Sequence, residues 1–393
     1  MSIYQEKVLG LKSIDKDSPF FICTLFSYIV LKKIVNLSHK GLFDEFEYNL
    51  GKKSAKLLCK LQIKQGLKGA SGIKAAFEEF ENMGFGITKI VLLKKNNCIL
   101  KNLTTPIARQ FVKSFFEDKI KTDYYIAGVY SGILSSYFKK NIEIEEQGCN
   151  ALGSEECTFI NTNRVPNRYN LAPLVQKVIQ KQQLFSKKRI RYPNNFCIEM
   201  LHRRIYHKNK GIIKMANIYH VFFRFSFFMV SNHILSKKAK DAYDLHEYVG
   251  YAQGMIATAF QKNQFGRKEP DDIFNELLTH LNMSGYGVPL ICSRTGRQII
   301  IKFKGMLSLK QALQFMEKFD DPYLRGLLLG FSTVYSKPVS SIEFTNRHQD
   351  ELTAKISFGH EDLAQQLSKN IKSNRIKCLA MERMQHKYYL SPS

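Results

Sequence analysis

The sequence predicts an α+β fold made of two tandem copies of one domain, each with an antiparallel sheet. Two segments, 123–132 and 321–330, share the pattern D-x-Y-apolar-x-G-apolar-x-x-G. The elements around them keep the same order at an offset of about 200 residues, which is the signature of a long-period repeat. The chain has 393 residues, enough for two domains that each bury a core.

Hydrophobic periodicity and turn residues predict the elements of the first copy. Residues 20–35 are apolar nearly all round and follow Pro19, as expected for a buried helix with proline in its first turn. A polar link at residues 94–97 joins two short apolar segments and predicts a hairpin. The other predicted elements are helices at 43–61, 73–82, 105–118 and from Asp123, and strands at 85–93, 98–101, 141–146 and 156–161. The order is helices, hairpin, helices, hairpin.

The first copy spans residues 15–165 and the second spans residues 212–360. Between them lies a basic connector, residues 166–211, and a basic, helical C-terminal tail follows at 361–393. Residues 161–240 hold seventeen Lys or Arg against the single acid Glu199, within a chain of net charge +25. Such a connector could attract nucleic acid or an anionic membrane. It fits a solvated linker equally well, because a charge run alone positions nothing.

Several classes of protein find no support. No apolar run reaches the ~18 residues of a membrane span, and the first residues lack the pattern of a secretory signal. The eight cysteines are scattered, which favours a reducing cytoplasm. Glycine-rich dinucleotide and phosphate loops, HExxH and GxSxG are all missing. Whether the chain is an enzyme is left open, and a non-catalytic role is favoured.

One motif could bind a metal. Glu146, Cys149 and Cys157 form E-x2-C-x7-C, with Phe159 two residues after the second cysteine. Two thiolates at the ends of a tight hairpin can converge on one ion, and a carboxylate just before them supplies a third ligand. Zinc accepts such a mixed tetrahedral set. The alternatives are two structural thiols in a core, or a reversible disulfide.

The glycine-bearing helix followed by E-x2-C-x7-C-x-F resembles the 4-vinyl reductase domain. That family occurs in proteins of bacteriochlorophyll synthesis, in archaeal stand-alone proteins and in the sensory halves of aromatic-responsive transcription activators. It shares its α+β fold with subunits of the eukaryotic transport protein particle. The resemblance covers residues 20–161 and implies that Glu146, Cys149 and Cys157 hold a structural zinc beside a pocket for a small apolar or aromatic molecule.

The family's fourth ligand is a cysteine near the start of the preceding helix, where this chain has Asp123. Asp123 could therefore be a zinc ligand. It could instead be only an N-cap, because a carboxylate accepts the free N–H groups of a first helical turn. The N-cap interpretation also explains Asp321, which stands at the matching place in the second copy.

The second copy is degenerate at the metal motif. Its segment 347–358 has no cysteine. This loss predicts that the second copy is kept for packing. Domains of the family that the first copy resembles tend to dimerise, and the resemblance therefore implies an internal pseudo-dimer. We expect the two copies to meet through residues 20–35 and 221–235, which are too apolar to face water.

The sequence therefore predicts a cytoplasmic small-molecule-binding or sensory protein with a structural zinc in its first domain. Phe111, Phe115, Tyr125 and Tyr130 are the candidate ligand-binding residues, although aromatics at helical spacing also fit a plain core. A non-catalytic scaffold of the transport-particle type is the alternative, and self-association fits either. A vinyl reductase-like enzyme is third, since no motif for a redox cofactor is visible.

Overall fold

The computed structural model of the chain has two similar halves that contact each other. It describes residues 21–94, 97–114, 121–183, 206–207, 211–215, 218–223, 227–265, 269–284, 286–306, 309, 312–313, 315–317, 319–348 and 351–371. Predictions for Phe115, for most of the connector and for residues 372–393 lie outside the described residues.

The first half has five helices and five strands within the described residues. They are β1 (Phe21–Thr24), α1 (Leu25–Ser38), α2 (Leu42–Lys64), α3 (Gly69–Asn82), β2 (Thr88–Lys94), β3 (Asn97–Asn102), α4 (Pro106–Ser114), α5 (Tyr124–Phe138), β4 (Ile144–Gly148) and β5 (Cys157–Asn161). A helix in the connector follows, α6 (Ala172–Gln183).

The second half repeats most of this order. It contains β6 (Tyr206–His207), β7 (Ile212–Met215), β8 (Ile218–Phe223), α7 (Phe227–Leu235), α8 (Ala242–Phe265), α9 (Pro270–Met283), β9 (Val288–Arg294), β10 (Gln298–Lys304), α10 (Pro322–Ser332), β11 (Val339–His348), β12 (Glu351–Phe358) and, from the predicted tail, α11 (Leu363–Asn370). None of the described helices is long and apolar enough to cross a membrane.

Three four-stranded antiparallel sheets confirm the predicted α+β class. The first half has the order β2-β3-β5-β4 and the second has β11-β12-β10-β9. A third sheet, β1-β8-β7-β6, joins the halves because β1 comes from the first and β8 from the second.

The repeated glycines allow the same helix crossing in both halves. A Cβ on Gly128 would lie 2.9 Å from the carbonyl carbon of Tyr48, and one on Gly326 would lie 2.9 Å from that of Glu247. Gly128 is in α5, which packs on α2, and Gly326 is in α10, which packs on α8. A backbone can approach this closely only where no side chain intervenes.

The two sheets also share a β-bulge, which fixes how their strands correspond. Val91 is the extra residue in β2 and Cys292 is the extra residue in β9. Each follows a glycine with positive φ, Gly86 and Gly287, by five residues. Residues of the first hairpin therefore match those 201 positions later, so that Asn102 corresponds to Phe303.

The predicted N-terminal helices begin too early. Residues 21–24 form strand β1 and the helix begins at Leu25, while residues 218–223 form β8 and α7 begins at Phe227. A fully apolar run does not distinguish a buried strand from a buried helix. Here, pairing of Phe21 with Phe223 across the third sheet selects the strand.

The halves meet through α1 and α7, as expected, and each of these helices also lies on the long helix of the other half. Tyr28 of α1 contacts Phe227 of α7, with ring centroids 5.1 Å apart. Phe227 also contacts Phe46 of α2 at 5.7 Å. On α8, Gln253 accepts a hydrogen bond of 2.9 Å from Ser27 of α1. The contact is thus a crossed packing rather than a single helix pair.

A buried pair of side chains occupies matching places between the first two helices of each half. In the first half, Lys32 donates to Glu47 at 2.5 Å. In the second half, the Ser231 hydroxyl lies 2.7 Å from Nε2 of His246, whose Nδ1 lies 2.6 Å from the Ala242 carbonyl. A carbonyl only accepts, so Nδ1 carries a proton.

We expect stability to fall in acid through His246. Burial lowers the pKa of His246 to about 4, although its hydrogen bond to Ala242 opposes this. In the unfolded chain the pKa of this histidine is about 6.5, so acidification protonates it first in the unfolded state. The free energy of unfolding is therefore unaffected by the titration of His246 above pH 6.5 and falls by about 3 kcal/mol as the pH is lowered to 4. Urea unfolding of the wild type and of His246→Gln should show stabilities that converge on acidification. Parallel pH profiles would contradict the assignment.

Candidate metal centre

Three side chains that could hold a metal ion converge at the end of the β4–β5 hairpin. The ligand atoms of Glu146, Cys149 and Cys157 all lie within 4.8 Å of one another, and all three residues are buried. Within the described part of the chain, no other group of three His, Cys, Asp or Glu side chains is this close. The structure therefore brings together the three residues of the E-x2-C-x7-C motif.

The hairpin itself positions the two thiols. Cys149 follows the last residue of β4, and Cys157 is the first residue of β5. Between them, a short 3-10 turn at Asn150–Leu152 ends at Gly153, whose φ of 97° favours glycine. The Asn150 N–H donates to the Cys157 sulfur at 3.3 Å, which draws the two ends of the turn together.

Backbone N–H groups at the start of α5 hold the Glu146 carboxylate. Thr122 N–H donates to Glu146 Oε2 at 2.9 Å, and Asp123 N–H donates to the same oxygen at 3.2 Å. The Thr122 hydroxyl also lies 3.4 Å from the Cys149 sulfur. Sequence reasoning missed Thr122, whose only signal is its place directly before Asp123.

A buried lysine supports this turn from the side of α1. Lys32 Nζ donates to the Thr122 carbonyl at 2.7 Å and to Glu47 at 2.5 Å. Tyr28 also donates to Glu47. Lys32 was not predicted as a site residue, and a lysine on an apolar helix was the available signal.

Two buried carboxylate oxygens at the site have no hydrogen-bond partner. They are Asp123 Oδ2 and Glu146 Oε1. The Asp123 carboxylate also lies beside the Cys157 thiol, which affects its pKa. A buried polar atom without a partner is costly and calls for an explanation such as an ion.

The acidic groups raise one another's pKa. Burial, and then the charge of Glu146, raise the pKa of Asp123 to about 8. Burial, and then the charge of Cys149, raise the pKa of Glu146 to about 8. The hydrogen bond between the thiols lowers the pKa of Cys149 and raises that of Cys157 far above its usual range. A dication would favour the ionised form of all four groups.

The two aspartates that precede the glycine helices behave differently. Asp321 Oδ1 accepts the Leu324 N–H at 3.1 Å and is the predicted N-cap of α10. Asp123 makes no side-chain cap of α5, so the N-cap prediction is wrong there. Its Oδ1 instead accepts the Thr122 hydroxyl at 3.4 Å. Both aspartates keep a buried Oδ2 without a partner, and the Asp123 carboxylate lies beside the Cys157 thiol.

Apolar residues take the ligand positions in the second half. Cys157 pairs with Asn102, and Leu352 pairs with the corresponding Phe303. In the neighbouring ladders, Glu146 pairs with Phe159, two residues after Cys157, and Phe344 pairs with Ala354, two residues after Leu352. Leu352 and Phe344 therefore replace Cys157 and Glu146.

The described candidate ligand-binding rings lie in the core of the first half. Tyr125 stacks on Phe85 with centroids 5.0 Å apart, and Phe111 is fully buried. Tyr130 contacts Phe159 at 5.0 Å. A pocket at these rings stays a prediction.

Comparisons with known proteins do not assign a family. No protein-family model matches the chain, and no curated protein matches it. Among solved structures, the chain is similar to the phenol-responsive sensory domain of the transcription activator PoxR with phenol. The identity is 11%, the TM-score is 0.30, and the match covers 38% of this chain and 81% of that chain. A likeness this loose carries no argument about function.

Proposed function

We propose that this chain is a small-molecule-binding protein of the sensory type, held together in its first half by one structural zinc ion. Glu146, Cys149 and Cys157 would hold the metal, with Asp123 as the fourth ligand. The metal would supply cross-links between the hairpin and the start of α5, and no catalysis is assigned to it.

The three donors that lie together fit zinc in chemistry and spacing, and Asp123, outside that group, would have to supply the fourth ligand. The Cys149 and Cys157 sulfurs are 3.8 Å apart. Two Zn–S bonds of about 2.3 Å at a tetrahedral angle also place sulfurs about 3.8 Å apart. The observation that carries the proposal is this pair of thiols beside the unpartnered oxygens of Asp123 and Glu146.

A cavity in the second half supports the small-molecule part of the proposal. It has a volume of 370 Å³ and lies between β11 and the start of α10. Small-molecule sites typically measure about 300–1,000 Å³. A non-catalytic scaffold is the second candidate, favoured by the dense packing of Tyr125 and Tyr130 in the first half.

We expect about one zinc per chain, because the first half has the three clustered donors and the second half has apolar residues in place of Glu146 and Cys157. Elemental analysis of purified protein measures this, and native mass spectrometry of the same sample shows any co-purified small molecule. Cys157→Ser should lower the zinc content to near zero and lower the Tm. Asp123→Asn should weaken zinc binding, because an amide oxygen is a poorer ligand than a carboxylate.

Cys292→Ser is the matched control, since Cys292 is an exposed cysteine of the second half. It should leave both the zinc content and the Tm unchanged. Protein that holds no metal, and whose Tm is unaffected by Cys157→Ser, would refute the metal site. Two zinc ions per chain would show that the second half binds metal as well.

A further inference from the structure

The cavity of the second half runs along the outer edge of β11, the end strand of its sheet among the described residues. Its lining residues are Phe319, Asp320, Arg325, Ile342, Glu343, Phe344 and Thr345. Consecutive side chains of a strand point to opposite faces, so a cavity lined by four residues in a row, 342–345, follows the strand's edge. β11 is the end strand of its sheet among the described residues, so this edge offers backbone N–H and C=O groups to a ligand.

The cavity occupies the place that corresponds to the metal-ligand group of the first half. There, the Glu146 carboxylate bridges β4 to the N–H groups at the start of α5. Phe344 takes that position on β11, and a phenyl ring cannot accept those hydrogen bonds. The gap between strand and helix is therefore lined by rings instead of being closed by a carboxylate.

Two of the three charged groups of the lining, Arg325 and Asp320, are paired with each other, and Nε of Arg325 is buried without a partner. Arg325 donates to Asp320 Oδ1 at 2.9 Å. The Arg325 guanidinium lies over the rings of Tyr243 and Phe344, at 5.7 and 5.6 Å from their centroids. Glu343 is exposed and stands opposite Lys355 in the strand register, so its carboxylate stays in contact with water. An anionic ligand would lose water and compete with Asp320 for Arg325, and a cationic ligand would meet carboxylates that are already paired or solvated.

The remaining lining favours a flat, neutral ligand. Phe319 and Phe344 meet edge to face with centroids 5.8 Å apart, and Ile342 completes the apolar wall. A planar amide matches a strand edge, because it presents one donor and one acceptor in a plane as a neighbouring strand does.

We propose that this cavity binds a neutral aromatic carboxamide or a similar flat ring that carries adjacent hydrogen-bond donor and acceptor groups. The ring would lie against Phe319 and Phe344, and the amide would pair with the edge of β11. This inference rests on the proposed function, because it places the small-molecule site in the second half and names its ligand class.

The test uses four fluorinated probes that share one ring: 4-fluorobenzamide, 4-fluoro-N,N-dimethylbenzamide, 4-fluorobenzoate and 4-fluorobenzylamine. Fluorine NMR titration of the full chain at neutral pH measures each affinity. A probe of this size should bind with a Kd on the order of 1 mM. The dimethyl amide should bind about fivefold more weakly, since it lacks the donor. Both charged probes should also bind more weakly than the amide.

Asp320→Asn tests the position of the site. It leaves the Arg325 charge unpaired, so the affinity for 4-fluorobenzoate relative to 4-fluorobenzamide should rise about tenfold. Asp320 is partly exposed, and asparagine can still accept from Tyr243, so the fold should persist. Asp272→Asn, an exposed carboxylate in α9, is the control and should leave the ratio unchanged.

The outcomes separate this inference from the proposed function. Wild-type protein that binds a charged probe at least as tightly as the amide overturns the inference, and so does an unchanged ratio in Asp320→Asn. If no probe binds but native mass spectrometry shows a co-purified molecule, the site is wrong and the sensory function stands. If neither is found, both fail.

Discussion

Alanine at Gly128 is expected to lower the free energy of unfolding by about 3 kcal/mol. The new Cβ would lie 2.9 Å from the carbonyl carbon of Tyr48 and 3.0 Å from the Lys52 nitrogen. Both are backbone atoms of α2, so they can move only if the helix pair separates. The gain in helix propensity, about 1 kcal/mol, is smaller than this cost. Urea unfolding measures the change.

The matching glycine of the second half, Gly326, allows the same experiment. Gly326→Ala should cost about as much, because its Cβ would meet the Glu247 carbonyl carbon at 2.9 Å and the Tyr251 nitrogen at 2.6 Å. Gly296→Ala is the control, since nothing lies within 4 Å of its Cβ, and it should change stability by less than about 0.5 kcal/mol. Equal effects at Gly128 and Gly296 would show that the close crossing does not contribute to stability.

The repeat and the clustering of the three candidate metal ligands could be predicted from sequence because both depend on local patterns. Glycines four residues apart mark a close helix crossing, and Glu146, Cys149 and Cys157 lie within one hairpin. The third sheet could not be predicted. β1 pairs with β8 about 200 residues away, and no local pattern specifies a partner at that distance.

Asp123 and Asp321 show a different limit. Both begin the same motif, so their sequence context predicts the same N-cap. Their roles diverge because the facing strand carries Glu146 in one half and Phe344 in the other. Glu146 takes the N–H groups at the start of α5, whereas Asp321 itself caps α10.

The cavity was missed for a related reason. The second hairpin lacks cysteines, and that loss favoured a purely structural role. In the folded sheet, Phe344 has the register position that Glu146 has in the first half. Phe319 and Arg325, from another segment, line the same cavity as Phe344. The second half thus has a cavity at the place where it lacks the candidate metal ligands of the first half.

Aspartate at Phe228 is expected to lower the free energy of unfolding by about 5 kcal/mol. Phe228 of α7 is buried and stacks on Tyr323 of α10, with centroids 3.7 Å apart and planes 10° from parallel. The Tyr323 hydroxyl in turn donates to Ser27 of α1 at 3.1 Å, so this stack supports the contact between the halves. The substitution removes the stack and leaves a buried carboxylate.

Two further variants show whether the effect of Phe228→Asp comes from the buried charge. Phe228→Leu keeps an apolar side chain and should cost about 1–2 kcal/mol, since it loses only the ring contact. Phe260→Asp is the control, because Phe260 is 40% exposed on α8 and its substitution should cost less than about 1 kcal/mol. If Phe228→Asp unfolds at the same urea concentration as the wild type, α7 is peripheral. Its apolar face would then be free to contact a partner or a membrane, and the halves would have to be held together by the third sheet.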